Sequence, residues 1–286
     1  MFVPRKILEE KLLQLLAEDV GQGDVTTAAI MKEGQIIEAS IIAKESGVAA
    51  GIEEAVILAE GLGLKTETCV KDGEALKKGQ IVVKFSGDAR IILSAERTML
   101  NLLSRMSGIA TKTRRLVEKL RQAKATAKIA ATRKSAPSLL YFDKKAVFIG
   151  GGDPHRLHLD DMILIKDNHI AVVGTVETAV KKAKLSASFT KKIEVEVTRI
   201  ADAVIAAKAG ADIIMLDNFT PKQIREAVAS FRKAGFFGKV LLEASGGITE
   251  VNLLDFASTG VDVLSLGELT HSVKALDVSL EITRVS

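Results

Sequence analysis

The chain has 286 residues, 47% apolar and 27% charged, the balance of a globular protein and not of a disordered, collagen-like or disulfide-stapled one. Forty basic against 36 acidic residues leave a formal charge of +4, which suits small anionic ligands but is too mild for general nucleic-acid binding; with no Trp and one Tyr, a base-stacking platform is not expected either. The single cysteine, Cys69, excludes an internal disulfide or thiolate zinc cluster and fits a reducing, cytoplasmic setting, while charges interrupt every apolar stretch before the ~18 residues of a membrane helix and the opening residues lack the apolar core of a signal peptide.

In chain order, Ile7, Leu8, Leu12, Leu15 and Leu16 recur at helical spacing until Gly21, Gly23 and Asp24 break the pattern, which predicts an amphipathic helix over 5–18. Short β-rich runs follow at 36–42, 64–70, 81–85 and 89–93, with a helical stretch near 52–62 and glycine turns between several of them. A long helical pattern then runs from Ser94, a candidate N-cap, to about Gln122, with a break expected at Ser107-Gly108.

From Lys128 onward, six short apolar runs each end in chemically active residues, at 129–134, 162–167, 193–197, 213–217, 240–245 and 261–267. Helical segments separate the last five; 220–235 is the clearest, with Thr220 as cap, Pro221 in the first turn and Gly235 at the exit. Alternation at intervals of roughly 20 to 30 residues is the signature of parallel βα units closing toward a barrel. Residues 138–149 could add a strand, but Pro137, Leu139, Phe142 and Ala146 favour a helix starting at the proline. The expected fold is therefore α/β: a small N-terminal α+β sandwich domain (1–107) plus an open, incomplete six- or seven-stranded α/β barrel (108–272). The alternating segment at 278–282 suggests that 273–286 returns to the first domain.

In such barrels the strand C-termini form the active rim. Here that rim carries Arg133, Lys134, Lys166, Glu196 and Asp217, with His155 and Arg156 just before the second strand. Charges beside Ile, Leu and Val runs are costly to bury unpaired, and a polyanionic substrate would neutralise the cations. Glu196 and Asp217 could converge on Mg²⁺, an ion that prefers oxygen ligands and commonly bridges to phosphate, or could pair with the same lysines and arginines. Ser245-Gly246-Gly247 after the fifth run and Ser265-Leu266-Gly267 at the sixth are moderate signals of a phosphate loop. The four histidines, His155, His158, His169 and His271, lack the partner ligands of a zinc site. His155-Arg156 makes a donor pair suited to a carboxylate.

These motifs together resemble the quinolinate phosphoribosyltransferase family. The resemblance spans nearly the whole chain, through Glu18-Asp19-Val20-Gly21-Gln22-Gly23-Asp24, Glu96-Arg97-Thr98, Thr132-Arg133-Lys134, Gly150-Gly151-Gly152 with His155-Arg156, Lys166-Asp167-Asn168-His169, Glu194-Val195-Glu196, Leu216-Asp217-Asn218, Ala244-Ser245-Gly246-Gly247 and Leu269-Thr270-His271-Ser272. It implies an α/β sandwich joined to an open barrel, and a homodimer, possibly assembled further, whose sites are shared between subunits. The implied substrates are quinolinate and phosphoribosyl pyrophosphate, with Mg²⁺ and with no nucleic acid or membrane partner. Arg133, His155, Arg156 and Lys166 would hold the two carboxylates of quinolinate, aided by Arg97 of the other subunit. Lys134 would contact the diphosphate and Glu196 and Asp217 the ribose and Mg²⁺. Ser245, Gly246, Gly247 and Gly267 would cradle the 5′-phosphate, with Thr132 and His271 also at the site. Where the family shows T-R-K-T-x-P-G-L-R, Ser138 and Leu140 replace the glycine and the last arginine, which bears on substrate preference. The molybdate-operon pyrophosphorylases share the Thr-Arg-Lys and His-Arg motifs but typically lack Lys166-Asp167-Asn168-His169; they and a non-catalytic anion-binding barrel are the alternatives.

Overall fold

The computed structural model describes residues 3–285; Met1, Phe2 and Ser286, which fall within the expected domain limits, lie outside the described residues. In chain order the elements are α1 (Arg5–Val20), α2 (Val25–Ile30), β1 (Ile36–Ala43), β2 (Gly47–Val48), α3 (Ile52–Gly61), β3 (Lys65–Thr68), β4 (Ala75–Leu76), β5 (Ile81–Asp88), α4 (Ala89–Gln122), β6 (Lys128–Ala131), α5 (Leu140–Ile149), β7 (Ile163–Ile165), α6 (Asp167–Val173), α7 (Val176–Ser186), β8 (Ile193–Val197), α8 (Ile200–Ala209), β9 (Ile213–Asp217), α9 (Pro221–Ala234), β10 (Leu241–Ser245), α10 (Leu253–Ala257), β11 (Val263–Leu266), α11 (Glu268–His271) and β12 (Val278–Val285). They form two compact units. One comprises the chain up to Arg114, Tyr141–Gly151 and the segment from Val273; the other comprises Arg115–Leu140 and Gly152–Ser272.

In the first unit β12, β1, β5 and β3 form an antiparallel sheet in that order, and β2 pairs with β4. Ile37, Ala39, Ile41 and Ala43 of β1 are all buried, as alternate positions of a strand with one core face must be. Helix α1 sinks Leu8, Leu12 and Leu16, one residue per turn. Residues 89–93 are the first turns of α4 and not a strand: β5 ends at Asp88, whose Oδ1 accepts the Arg90 N–H at 2.8 Å and so satisfies a helix-start donor. Ser94 therefore lies inside the helix, and its hydroxyl donates to Asp24 Oδ2 at 3.1 Å.

Helix α4 also runs unbroken through Gly108. A Cβ at that position would meet the Lys274 carbonyl oxygen at 2.2 Å, so the glycine is there to let the 274–275 backbone pass close by. By packing, the units divide after Arg114, and Tyr141–Gly151 packs with the first unit. Charge pairing holds it there. Arg105 makes two hydrogen bonds to the buried Asp143, at 2.7 and 2.8 Å, and Lys145 donates to the buried Glu54 at 2.7 Å. Helix α5 begins at Leu140, three residues after the proline.

The second unit is built on six parallel strands in the order β6-β11-β10-β9-β8-β7. The first two strands of the unit occupy opposite ends, which is a barrel left open between β6 and β7. Asp153 makes a single parallel bridge to Ala130 on the outer edge of β6, and among the described residues there is no seventh strand. Thr220 caps α9, Pro221 opens it and Gly235 closes it in the left-handed conformation at φ 76°. The register sets Asp217 beside Ser245, Ser245 beside Ser265, and Met215 beside both Glu196 and Glu243. These residues therefore share one face of the sheet. No helix among the described residues is long and apolar enough to cross a membrane.

Candidate active site

The C-terminal ends of these strands surround a cleft of about 460 Å³ in the second unit. Thr132, Arg133, Lys134, His155, Arg156, Lys166, Glu196, Asp217, Ser245 and Gly246 all line it. Gly247, Gly267 and His271 line an adjoining pocket of about 300 Å³ that also touches Thr132, Lys134, Ser245 and Gly246. Arg97 is exposed on α4 in the first unit and lines neither.

The glycine pocket is shaped by backbone that other residues could not adopt. Gly246 and Gly247 have φ of 92° and 65°, and a Cβ on Gly246 would lie 2.2 Å from Asn218 Oδ1. Among the described residues neither their N–H groups nor that of Ile248 finds an acceptor in the chain, leaving three donors available to a bound anion. Gly267 is approached closely by the His271 ring and the Lys134 side chain, 3.0 and 3.2 Å from where its Cβ would stand. The Thr270 hydroxyl donates to the Lys134 carbonyl at 2.5 Å and ties this loop to the end of β6.

On the other side of the site, Lys166 precedes α6, and its Nζ donates to Glu196 Oε2 at 2.7 Å. Asp217 titrates above the usual carboxylate range because it is partly buried and because Glu196 stands near it. Its side chain accepts from Asn218 Nδ2 at 2.7 Å. Two mutually repelling carboxylates, both reaching the cleft, form an all-oxygen donor set that fits Mg²⁺.

Arg156 is buried, with one long hydrogen bond to the Met162 carbonyl at 3.5 Å. Burial, then the nearby Arg133, lowers its affinity for its proton. Two guanidinium groups are thus held close together, an arrangement that an anion would relieve.

Sequence reasoning missed two residues. Glu194 on β8 and Glu243 on β10 are 0% and 1% exposed, and their Oε2 atoms lie 3.3 and 3.2 Å from His155 Nε2. The available signal was parity: Glu194 is two residues from Glu196 and so faces the same way, and Glu243 is two residues from Ser245. Burial opposes a proton on His155, while the two carboxylates favour one and raise the ring's affinity for it. His155 Nδ1 meanwhile accepts the Arg156 N–H at 2.8 Å, which a doubly protonated ring could not do. Burial also raises Glu194, and the geometry leaves Nε2 as the ring nitrogen whose proton faces the two acids.

The family model described as quinolinate phosphoribosyl transferase, N-terminal domain, matches residues 24–107, and that of the C-terminal domain matches residues 109–281. The chain is 48% identical over 277 residues to a probable nicotinate-nucleotide pyrophosphorylase [carboxylating] of Methanocaldococcus jannaschii, covering 96% of each. It is 38% identical over 255 residues to the human nicotinate-nucleotide pyrophosphorylase [carboxylating], covering 89% of this chain and 85% of that one. The solved nicotinate-nucleotide pyrophosphorylase from Francisella tularensis superposes with a TM-score of 0.87 at 36% identity over 99% of this chain and 98% of its own. With both family models matched in sequence order and relatives aligned over nearly their whole length, the chain belongs to the quinolinate phosphoribosyltransferase family.

Proposed function

We propose that the chain joins quinolinate to the ribose of phosphoribosyl pyrophosphate, giving nicotinate mononucleotide, diphosphate and CO₂, as a cytoplasmic step of NAD biosynthesis. The observation that carries this reading is one cleft in which Arg133, Arg156 and Lys166 meet Glu196 and Asp217 and which adjoins a pocket with three free backbone N–H donors. Quinolinate brings two carboxylates to the three cations, and the 5′-phosphate brings its oxygens to Ser245, Gly246, Gly247 and Gly267. Thr132 and His271 complete the wall between the cleft and that pocket.

Glu196 and Asp217 would hold Mg²⁺, which supplies charge neutralisation for the departing diphosphate. Lys134 adds a cation on the same side. Positive charge that develops at the ribose C1 as its bond to diphosphate breaks is favoured by the negative charge of Glu196, with no covalent nucleophile required. The new bond forms from the pyridine nitrogen to C1 as the bond to diphosphate breaks, and the 2-carboxylate leaves as CO₂ with a proton taking its place. Lys166, freed from Glu196, is the cation available to a carboxylate of the substrate. A homodimer in which Arg97 of one copy reaches the site of the other is part of the proposal.

The test is to supply quinolinate labelled in its 2-carboxylate together with phosphoribosyl pyrophosphate and Mg²⁺. Labelled CO₂ and nicotinate mononucleotide are the expected products. Protein that binds both substrates and releases no CO₂ would sink this reading.

A further inference from the structure

The family resemblance gives His155 a direct hold on a substrate carboxylate, yet both of its ring nitrogens are already engaged inside the chain. Nδ1 accepts the Arg156 N–H, and Nε2 faces Glu194 and Glu243. The residue sits in the left-handed region at φ 55°, a conformation unfavourable for a side chain of this size unless neighbouring contacts enforce it. Three contacts do so: the two ring interactions, and the His155 N–H donating to Asp153 Oδ1 at 2.7 Å. Asp153 itself is clamped to β6, accepting the Ala131 N–H at 3.0 Å and donating to the Ile129 carbonyl at 2.8 Å.

We infer that Glu194 and Glu243 act through His155 as positioning residues: they anchor the Asp153–Arg156 turn to β8 and β10 so that the buried Arg156 guanidinium is held ready for a substrate carboxylate. The alternative use of the same three side chains is a metal site, since one ligand atom from each lies within 4.8 Å of the others. One feature argues against it: the Arg156 guanidinium lies near enough for Glu194 to stabilise its charge, which places a cation beside the acids already. They form a negative floor under a cationic cleft and leave the Arg156 side chain one long hydrogen bond, to the Met162 carbonyl.

The role in recognition rests on the proposed reaction, so one arm of the test does not use activity. ¹⁵N NMR of the imidazole in the wild-type protein is expected to show Nδ1 without a proton and Nε2 with one; a ring with a proton on Nδ1 overturns the proposal. In kinetics, His155→Ala is expected to raise the KM for quinolinate roughly tenfold or more with a smaller change in kcat, the loss of an anchoring hydrogen bond. His155→Gln, whose amide can reach Glu243 as Nε2 does, recovers most of that loss. Glu243→Leu shows the same KM-selective defect, and combining it with His155→Ala adds little. Unchanged affinity for phosphoribosyl pyrophosphate serves as the folding control. A His155→Gln protein as impaired as His155→Ala, or full additivity in the double variant, refutes positioning. So does one tightly held equivalent of Zn²⁺ that His155→Ala releases. Wild-type protein that does not turn over quinolinate refutes the proposed function instead and leaves the NMR arm decisive for the anchor.

Discussion

Lys166 and Glu196 hold each other in the unliganded cleft, Nζ to Oε2 at 2.7 Å, the lysine side chain 45% exposed and the glutamate 15%. Each is the other's placeholder. If Lys166 turns to a substrate carboxylate as proposed, the pair must break, and its strength would set part of the cost of filling the site. Glu196→Gln releases the lysine and should leave quinolinate affinity unchanged or tighter, while turnover falls by about 100-fold because the group that stabilises developing charge is gone. Calorimetric titration beside single-turnover rates checks both; an equal loss of affinity and rate would place Glu196 on the wrong side of the chemistry.

Asp217 gives the pH prediction. Burial and the charge of Glu196 raise it, while Lys166, Lys134 and Asn218 oppose the rise. A raised carboxyl takes up its proton sooner as pH falls, so Mg²⁺ binding weakens on acidification at a pH where ordinary aspartates are still ionised. Mg²⁺ titration in neutral and mildly acidic buffer should show this loss.

Gly246 tests the phosphate pocket. An alanine there would combine φ of 92° with a methyl 2.2 Å from Asn218 Oδ1, displacing the residue that bonds Asp217. Gly246→Ala is expected to raise the KM for phosphoribosyl pyrophosphate roughly tenfold or more with quinolinate affinity little changed. Separate binding isotherms for the two substrates decide it.

A shared site makes its own prediction. Arg97→Ala and Lys166→Ala proteins should each be inactive, and subunit exchange between them should restore activity through hybrid dimers carrying one intact site. If Arg97 acts within its own chain, every site in the hybrid carries a lesion and the mixture stays dead. Arg97→Lys should not rescue, because a bidentate guanidinium is the stronger partner for a carboxylate.

In the first unit, Asp143→Ala leaves the Arg105 guanidinium without its buried carboxylate. Breaking such a pair costs about 2 to 3 kcal/mol once the partial exposure of Arg105 is allowed for, and thermal unfolding should move down by several degrees. An unchanged midpoint would mean that the Arg105–Asp143 pair adds nothing to the hold on α5.

Strand periodicity made the second unit legible. All six runs that end in chemically active residues are strands, because parallel strands under helices must be short, apolar and capped by loop chemistry. The residues named from those strand ends line one cleft, since a parallel sheet brings its C-termini to one edge. Hidden from local reading were effects that depend on distant contacts. Gly108 looks like a helix breaker until the backbone of Lys274 is seen against it. Residues 89–93 have strand composition, and only the cap supplied by Asp88 turns them into helix. Glu194 and Glu243 sit inside apolar runs where a charge seems out of place, and their sense emerges only when His155 arrives from another segment.

The pairing of β12 with β1 has a consequence for how the protein comes into being. They are the first and the last strands of the described sequence, so during synthesis β1 presents an unpaired edge while the whole parallel-stranded unit is translated between them. An open antiparallel edge is a template for pairing with another chain, and a contact of this sequence separation forms late. The first unit can nucleate early around α1, α3 and β5, but its sheet reaches full width only after the second unit has been made. A nascent chain stalled within the barrel segment is therefore the species most exposed to misassembly.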